Sequence, residues 1–399
     1  MVALGRFLSA LATLLVAACN VPEPPGSSGG VSLQSTPCGR GVVVVSSGSD
    51  YASTNVSLAD LDGVGVSPSF LSSGAVPAGA SAAFSGDVVA PLQTPPSGNV
   101  VLIDRQNGTV SWADPVSATV RAQLSLLGGS PANPHDYVEV SADKAYVSRY
   151  GAGDLAVLDL RSFAWTSSVP LPADAGLRPS PDRMLLAGDR VIVALQLFDA
   201  AFVKAGDGRL VGIDTASDAI AWTVELAGLA NCGGLAMAPD SQRIAVTCTG
   251  VFPGSTSTDP EQMKRSAVVW MDLSDGVPKE LRRYDVASAL GRPVGWTVGF
   301  VSNASVVGRV VGDLESGSRD AAFSLDLESG EVKVLAESAA YSLGDVRCAA
   351  ACGKPCLIAD AETGVLRRWS TAAGTALVEL EPSRVDTTVG LPPRNLGGF

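Results

Sequence analysis

Short runs of apolar and β-branched residues recur along the chain, and each is followed by polar residues that are typical of tight turns. Seven such runs share one form, and their last residues are Asp60, Asp114, Asp159, Asp214, Asp272, Asp326 and Ser370. The steps between these ends are 54, 45, 55, 58, 54 and 44 residues. A unit of roughly 50 residues used seven times predicts a radial or stacked array of small β-sheets.

The third unit shows the pattern most clearly, with apolar strands at residues 137–140, 144–148, 155–159 and 165–169 separated by polar turns. Four strands per unit are typical of a propeller blade. We therefore predict an all-β, seven-bladed β-propeller, with six- and eight-bladed rings as the alternatives. The runs that end at Asp104 and Asp360 look like the repeating strand, but aligning the two stretches assigns both to the strand before it.

The two ends of the chain are predicted to close the ring. The first unit has no obvious innermost strand, whereas an extended stretch at residues 385–391 is surplus near the carboxyl end. Pairing of this stretch with the first unit would remove the last open sheet edge. The predicted propeller therefore spans residues 41–391, and residues 392–399 are predicted to be a tail.

The amino terminus is predicted to be a targeting segment. An apolar run at residues 7–18 is too short to span a bilayer and ends in small residues before Cys19. This junction resembles the lipobox of bacterial lipoproteins, which implies removal of residues 1–18 and lipidation of Cys19. An ordinary secretory signal is the alternative. Residues 19–40 have the Pro, Gly and Ser content of a disordered tether.

Six further cysteines suit an oxidising compartment, and they are Cys38, Cys232, Cys248, Cys348, Cys352 and Cys356. Cys232 and Cys248 lie at the same end of one predicted hairpin, so we predict a disulfide between them. The last three cysteines surround another hairpin, and one of them is predicted to reach Cys38 and link the start of the ring to its last blade. A zinc site at residues 352–356 is the alternative, but no second cysteine pair or histidine pair accompanies it.

The net charge and the single histidine argue against several classes of function. The net charge is −12 without a basic cluster, so we expect no nucleic-acid partner, and we expect a monomer. The single histidine, His135, excludes multi-histidine metal centres, and we predict neither a metal nor a cofactor. Asp136 could orient His135 as a base, but no nucleophile motif accompanies the pair, so we expect a structural histidine. The repeated aspartates are interpreted as turn formers, and the tryptophans as packing between blades.

One stretch carries a family resemblance. Residues 136–160 read Asp-Tyr-Val-Glu-Val-Ser-Ala-Asp-Lys-Ala-Tyr-Val-Ser-Arg-Tyr-Gly-Ala-Gly-Asp-Leu-Ala-Val-Leu-Asp-Leu and resemble the YVTN family of β-propeller repeats. Residues 233–273 are similar, although a long insertion interrupts them. The resemblance implies a fold and leaves the activity open, because propellers host many unrelated functions.

Antiparallel strands send alternate loops to opposite faces of the ring. The longer loops all leave from one face, at residues 72–86, 126–134, 198–208, 249–266 and 312–319. The central funnel on that face is the predicted ligand site. The candidate ligand-binding residues lie near the starts of the innermost strands, and they are Asn133, His135, Asp136, Arg178, Asp182, Arg183, Asn231, Arg292, Trp296, Asp345 and Arg347.

These features predict a non-enzymatic lipoprotein of the bacterial cell envelope. Asn20 after the lipidated cysteine favours the outer membrane by the sorting rule of enteric bacteria, with the propeller facing the periplasm or the exterior. The loop-rich face would bind a protein, peptide or glycan. The alternatives are a propeller enzyme, either a lactonase-like hydrolase or a quinoprotein-like dehydrogenase, and an envelope-assembly scaffold.

Overall fold

A computed structural model describes residues 38–129, 131–252, 259–370, 377–386 and 388–399. The predicted leader at residues 1–18, the lipidation site Cys19 and the tether as far as residue 37 lie outside the described residues. No helix within the described ranges is long and apolar enough to cross a bilayer.

The described chain is built almost entirely from short strands, as the alternation of β-branched runs and polar turns predicts. In chain order the strands are β1 (Val42–Ser47), β2 (Thr54–Ala59), β3 (Gly65–Ser72), β4 (Val88–Val89), β5 (Val100–Asp104), β6 (Thr109–Ala113), β7 (Val120–Ser125), β8 (Pro134–Ser141), β9 (Lys144–Arg149), β10 (Asp154–Asp159), β11 (Ala164–Pro170), β12 (Pro181–Ala187), β13 (Arg190–Leu195), β14 (Gly208–Asp214), β15 (Ile220–Leu226), β16 (Cys232–Met237), β17 (Arg243–Cys248), β18 (Ala267–Asp272), β19 (Lys279–Tyr284), β20 (Val294–Ser302), β21 (Ser305–Val310), β22 (Asp320–Asp326), β23 (Val332–Ser338), β24 (Leu343–Cys348), β25 (Cys356–Asp360), β26 (Val365–Ser370), β27 (Val378–Ser383) and β28 (Pro393–Gly398). The helical elements are α1 (Pro260–Met263), α2 (Val286–Leu290) and a 3₁₀ turn at Ala350–Cys352.

These strands form seven four-stranded antiparallel sheets, which confirms the seven-bladed propeller. Blade one has the order β28-β1-β2-β3, and blades two to seven each use four consecutive strands from β4 to β27. The strands that end at Asp104 and Asp360 are second strands of their blades, as the alignment predicts.

The chain ends close the ring, but the closing segment differs from the predicted one. The innermost strand of blade one is β28, which pairs antiparallel with β1. The described residues 385, 386 and 388–391 form no strand in this sheet, so the predicted pairing of this stretch was wrong, and residues 393–398 belong to the propeller instead of a tail. The glycine-rich sequence before Phe399 concealed this strand, yet Phe399 is fully buried against blades one and two.

The described core contains seven apolar layers, each lying between two neighbouring blades, and one small cluster of Phe198, Ala230 and Val251. Blades two and three, for example, enclose Trp112, Tyr137 and Leu158, which are at most 1% exposed. Tryptophans of several blades contribute to these layers, as predicted, whereas Trp296 lies at the funnel and is 38% exposed. Because every layer joins two blades, the positions of the inner strands around the axis depend on packing throughout the ring.

The repeated aspartates are turn formers, as predicted. The carboxylate of Asp114 accepts the backbone N–H groups of Val116 and Ser117, and that of Asp326 accepts those of Glu328 and Ser329. Each carboxylate thus satisfies the turn that follows its strand.

The three disulfides agree with the predicted framework. Cys232 bonds to Cys248 across β16 and β17, and Cys348 bonds to Cys356 across β24 and β25. Cys352 is the cysteine that reaches Cys38. The zinc alternative at residues 352–356 is therefore wrong, because both of its cysteines are oxidised, and residues 38–40 at the end of the predicted tether are attached to the ring.

Candidate functional site

A cavity of about 760 Å³ opens on the axis where the inner strands begin. Its wall contains the first residues of several inner strands together with residues that follow second strands, so it lies on the face with the long loops. A second cavity of about 300 Å³ lies farther along the same inner strands, toward the opposite face. We call the first cavity the funnel, and it coincides with the position predicted for a ligand site.

Six predicted site residues line the funnel, namely His135, Asp182, Arg183, Asn231, Trp296 and Asp345. The other five do not. Arg178 is exposed outside the funnel, Asn133 holds the Tyr150 N–H through its backbone carbonyl, and Arg292 contacts Arg319 and Glu337 near the rim of blade six. Asp136 is fully buried beneath the wall, and Arg347 lines the second cavity, where burial lowers its pKa to about 10.

The imidazole of His135 is oriented by a carboxylate. Nδ1 of His135 lies 2.9 Å from Oδ1 of Asp182, whereas Asp136 uses its carboxylate to hold the backbone N–H groups of Leu92, Tyr137 and Met184. The expectation that Asp136 orients the histidine was therefore wrong. The side chain at position 136 points away from its neighbour because successive strand residues face opposite sides.

A hydrogen-bonded chain continues behind this pair. Nε2 of Gln196 donates to Oδ2 of Asp182 at 2.5 Å, and the Tyr150 hydroxyl donates to Oε1 of Gln196 at 2.7 Å. The Tyr150 ring also stacks on the His135 ring, with centroids 4.1 Å apart and planes 8° from parallel. Tyr150 thus packs against the imidazole ring and Gln196 holds the carboxylate that contacts it, so rotation of the His135 side chain is restricted.

Gly233 on the neighbouring blade completes this arrangement. A Cβ atom at this position would overlap the carboxylate of Asp182 and the amide of Gln196. Glycine therefore allows the close approach of β16 to this polar pair, and a larger residue would displace one of the two side chains.

The floor of the funnel is an ion pair across the axis. Nη2 of Arg183 on blade four lies 3.4 Å from Oδ2 of Asp345 on blade seven, and Nη1 lies 3.9 Å from Asp136 on blade three. Burial raises the pKa of Asp136 to about 6, although Arg183 and three backbone N–H groups act in the opposite direction. Nη1 of Arg183 also donates to the backbone carbonyl of Ala90 at 3.4 Å.

A second guanidinium lies on the wall near Trp296. Arg309 is 3.8 Å from Asp320 and its Cζ is 5.7 Å from the centre of the Trp296 ring. Within the described residues the side chain of Arg309 makes no hydrogen bond, and its Nε is buried. Asp320 is occupied by the backbone N–H groups of Gly312, Tyr341 and Leu343.

Sequence reasoning missed several lining residues, which are Tyr51, Arg105, Tyr150, Gln196, Arg309, Tyr341, Arg394 and Asn395. Most of them lie at or just after the ends of second strands, in short stretches without a distinctive motif. Because inner and second strands are antiparallel, the end of a second strand returns to the same face as the start of its inner strand. That rule was a usable signal for Tyr150 and Gln196. Arg394 and Asn395 were missed because β28 was not recognised.

Strained backbone marks the start of three successive inner strands. Asn133, Ser180 and Asn231 have positive φ angles of 40°, 47° and 54°, and each lies within one residue of the first residue of β8, β12 or β16. Positive φ is uncommon for residues other than glycine and clusters at functional sites. The three turns set the directions in which His135, Asp182 and their neighbours enter the funnel.

The described residues contain no group of three or more His, Cys, Asp or Glu side chains arranged to hold a metal ion.

Burial lowers the pKa of His135, and nearby Arg105 and Arg183 add to this, while Asp182 acts against it. Burial opposes ionisation of Asp182, but the hydrogen bond to His135 and the surrounding positive charges hold the pKa of this carboxyl below its usual range.

No protein-family model and no curated protein matches the chain. Solved structures do match it. A protein from Lactobacillus plantarum is 11% identical with a TM-score of 0.57, over 89% of this chain and 98% of that one. A protein from Bacteroides uniformis, provisionally assigned as a 6-phosphogluconolactonase, is 12% identical with a TM-score of 0.56, over 90% and 98%. The Swd1 β-propeller domain of Myceliophteria thermophila is 11% identical with a TM-score of 0.56, over 83% and 97%. At these identities the likeness shows the fold alone.

Proposed function

We propose that the funnel binds a small, hydroxylated organic anion such as an acidic sugar. The observation that carries this proposal is the guanidinium of Arg309, which lies in the wall with its side chain 12% exposed and makes no hydrogen bond within the described residues. The only described carboxylate near this guanidinium, that of Asp320, lies 3.8 Å away and beyond hydrogen-bond distance, so a carboxylate or phosphate oxygen of a ligand would supply the missing acceptor.

The charges of the wall support an anion. Four arginines line the funnel, at positions 105, 183, 309 and 394, against the two carboxylates of Asp182 and Asp345. Arg394 uses its guanidinium on the backbone carbonyls of Ser47 and Tyr341 and forms no ion pair with any described carboxylate. Asp87, Asp136 and Asp320 pair with Arg105, Arg183 and Arg309 from behind the wall, so Arg394 is the lining guanidinium whose charge no described carboxylate balances.

The remaining wall suits a sugar. Aromatic rings at positions 51, 296 and 341 are partly exposed and offer flat apolar faces, and the amides of Gln196, Asn231 and Asn395, which are hydrogen-bonded within the wall, add polar groups to it. A cavity of about 760 Å³ falls within the range of small-molecule sites. A concave site of this size favours a glycan-type ligand over a protein or peptide partner. One structural neighbour is named for a phosphorylated sugar lactone, which adds sugar phosphates to the compounds to test.

We further propose that the propeller is held at the bacterial outer membrane through lipid on Cys19. The apolar run before Cys19 and the three disulfides support an extracytoplasmic location. Replacing Cys19 by Ser should move the protein from the membrane fraction to the soluble fraction of cells grown with labelled palmitate. Retention of label and membrane association by the variant would contradict this proposal.

Calorimetric titration of the purified chain with D-glucuronate, with D-glucose as the neutral match, tests the ligand class. Arg309→Met should weaken glucuronate binding by about tenfold or more, because a hydrogen bond to a charged group is lost. Arg309→Lys should retain part of the affinity, since the charge remains. Arg161→Met is the control, because Arg161 is exposed and pairs only with Asp143 on the opposite face. Equal binding of glucose and glucuronate, or no effect at Arg309, would refute the proposal.

A further inference from the structure

The funnel contains a basic side chain, that of His135, which the binding of an organic anion does not require. His135 lines the cavity, its Nδ1 is engaged by Asp182, and its Nε2 makes no hydrogen bond with any described residue. An imidazole whose one nitrogen is held by a buried carboxylate presents the other nitrogen as an acceptor. The Tyr150 ring and the amide of Gln196 hold this tautomer and orientation in place.

We propose that Nε2 of His135 acts as a general base toward a water molecule that attacks the acyl carbon of an anionic ester or lactone bound in the funnel. This inference rests on the proposed function, since the arginines that bind the anion also hold the substrate. It assigns a hydrolytic activity to a site for which the sequence favoured a structural histidine.

The proposed hydrolysis needs no reactant other than water. Nε2 takes a proton from water as the water oxygen bonds to the acyl carbon, and the carbonyl oxygen becomes an oxyanion. The acyl C–O bond then breaks, the carbonyl reforms, and the proton on Nε2 passes to the departing alkoxide. The products are a carboxylic acid and an alcohol, and His135 is again neutral. Arg105 and Arg183 line the same cavity as His135 and would supply positive charge to stabilise the oxyanion.

The protonation state of His135 agrees with its proposed role as a general base. The charged groups that face His135 are Asp182, Arg183 and Arg105, and the net result with burial is a pKa below the ordinary histidine value. A neutral imidazole is therefore present at pH 7. Tyr150 stays protonated, because burial raises its pKa, so it orients the ring without acting as a base.

The test uses the purified chain without a histidine tag, with 4-nitrophenyl succinate as the anionic ester and 4-nitrophenyl acetate as the neutral match. The wild type should hydrolyse the succinate ester with the higher kcat/KM, and the rate should rise with pH around a midpoint below 6.5. His135→Gln should lower kcat by at least about 100-fold. Glucuronate binding measured by calorimetry should persist in this variant.

Two measurements separate catalysis from folding. Diethylpyrocarbonate on the wild type modifies the only histidine of the chain, so activity should fall in step with its absorbance change and return with hydroxylamine. Asp182→Asn tests the positioning residue, because ¹⁵N spectra of the single imidazole should show the proton on Nδ1 in the wild type and a mixture of tautomers in the variant.

The possible failures are distinguishable. Glucuronate binding without ester hydrolysis in the wild type would overturn the general-base proposal and leave the ligand proposal intact. Hydrolysis that is unchanged in His135→Gln, or equal for the two esters, would also overturn it. If the wild type neither binds glucuronate nor hydrolyses the succinate ester, both proposals are refuted.

Discussion

The disulfide between Cys38 and Cys352 should contribute more to stability than either of the other two. It joins the residue before blade one to the 3₁₀ turn of blade seven, across 314 residues of sequence. The disulfides within blades five and seven span 16 and 8 residues. The three bonds therefore restrain unfolded chains by very different amounts, although each joins strands or turns that already touch.

The loop-closure model converts these separations into free energies. At 25 °C it yields about 5.7 kcal/mol for the Cys38–Cys352 bond, about 3.1 kcal/mol for Cys232–Cys248 and about 2.5 kcal/mol for Cys348–Cys356. The expected difference between the first two is about 2.6 kcal/mol, which is large compared with the uncertainty of a denaturation experiment. The values are upper limits, because unfolded chains are more compact than the model assumes.

Equilibrium unfolding in guanidinium chloride, followed by tryptophan fluorescence, measures these losses in C38A/C352A and C232A/C248A. Repeating both under reducing conditions gives the packing loss alone, which is needed because Cys232 and Cys248 are completely buried. After this subtraction the C38A/C352A variant should lose more free energy of unfolding. A loss equal to or smaller than that of C232A/C248A would refute the argument that ring closure is restrained through the unfolded state.

Three further outcomes are expected. Phe399→Ala should lose about 3–5 kcal/mol of unfolding free energy in denaturant titrations, because the ring is buried at the closure, whereas Phe202→Ala at an exposed loop should change it little. Hydrogen bonds, led by that from Arg121, hold the pKa of Asp114 well below its usual range, so its stabilising effect is present above about pH 4 and is lost as pH falls further. The stability difference between wild type and Asp114→Asn should therefore shrink between pH 7 and pH 3, and a constant difference would contradict this. Gly233→Ala should displace the carboxylate that orients the histidine and change its tautomer in ¹⁵N spectra, while Gly74→Ala, where a Cβ has room, should not.

The sequence repeat made most of the fold predictable. Apolar and β-branched runs that end in aspartate are local features, because each strand needs side chains that suit a sheet and each turn needs a residue that satisfies its own backbone. For this reason blade number, the strand assignments at Asp104 and Asp360, and the hairpin disulfide of blade five were all predictable from neighbouring residues. The face of the ring that holds the funnel was predictable too, since antiparallel pairing determines which loops emerge together.

The chain's own sequence thus determined a seven-bladed ring, the disulfide of the blade-five hairpin and the location of a funnel. Tertiary structure alone decided that Pro393–Gly398 closes the ring, that Asp182 and not Asp136 holds His135, and that Arg309 lies on the wall without a hydrogen bond. These outcomes depend on contacts between residues far apart in the chain, such as Gly233 against Asp182. Local pattern specifies a blade, whereas packing of seven blades about an axis decides which side chains meet there.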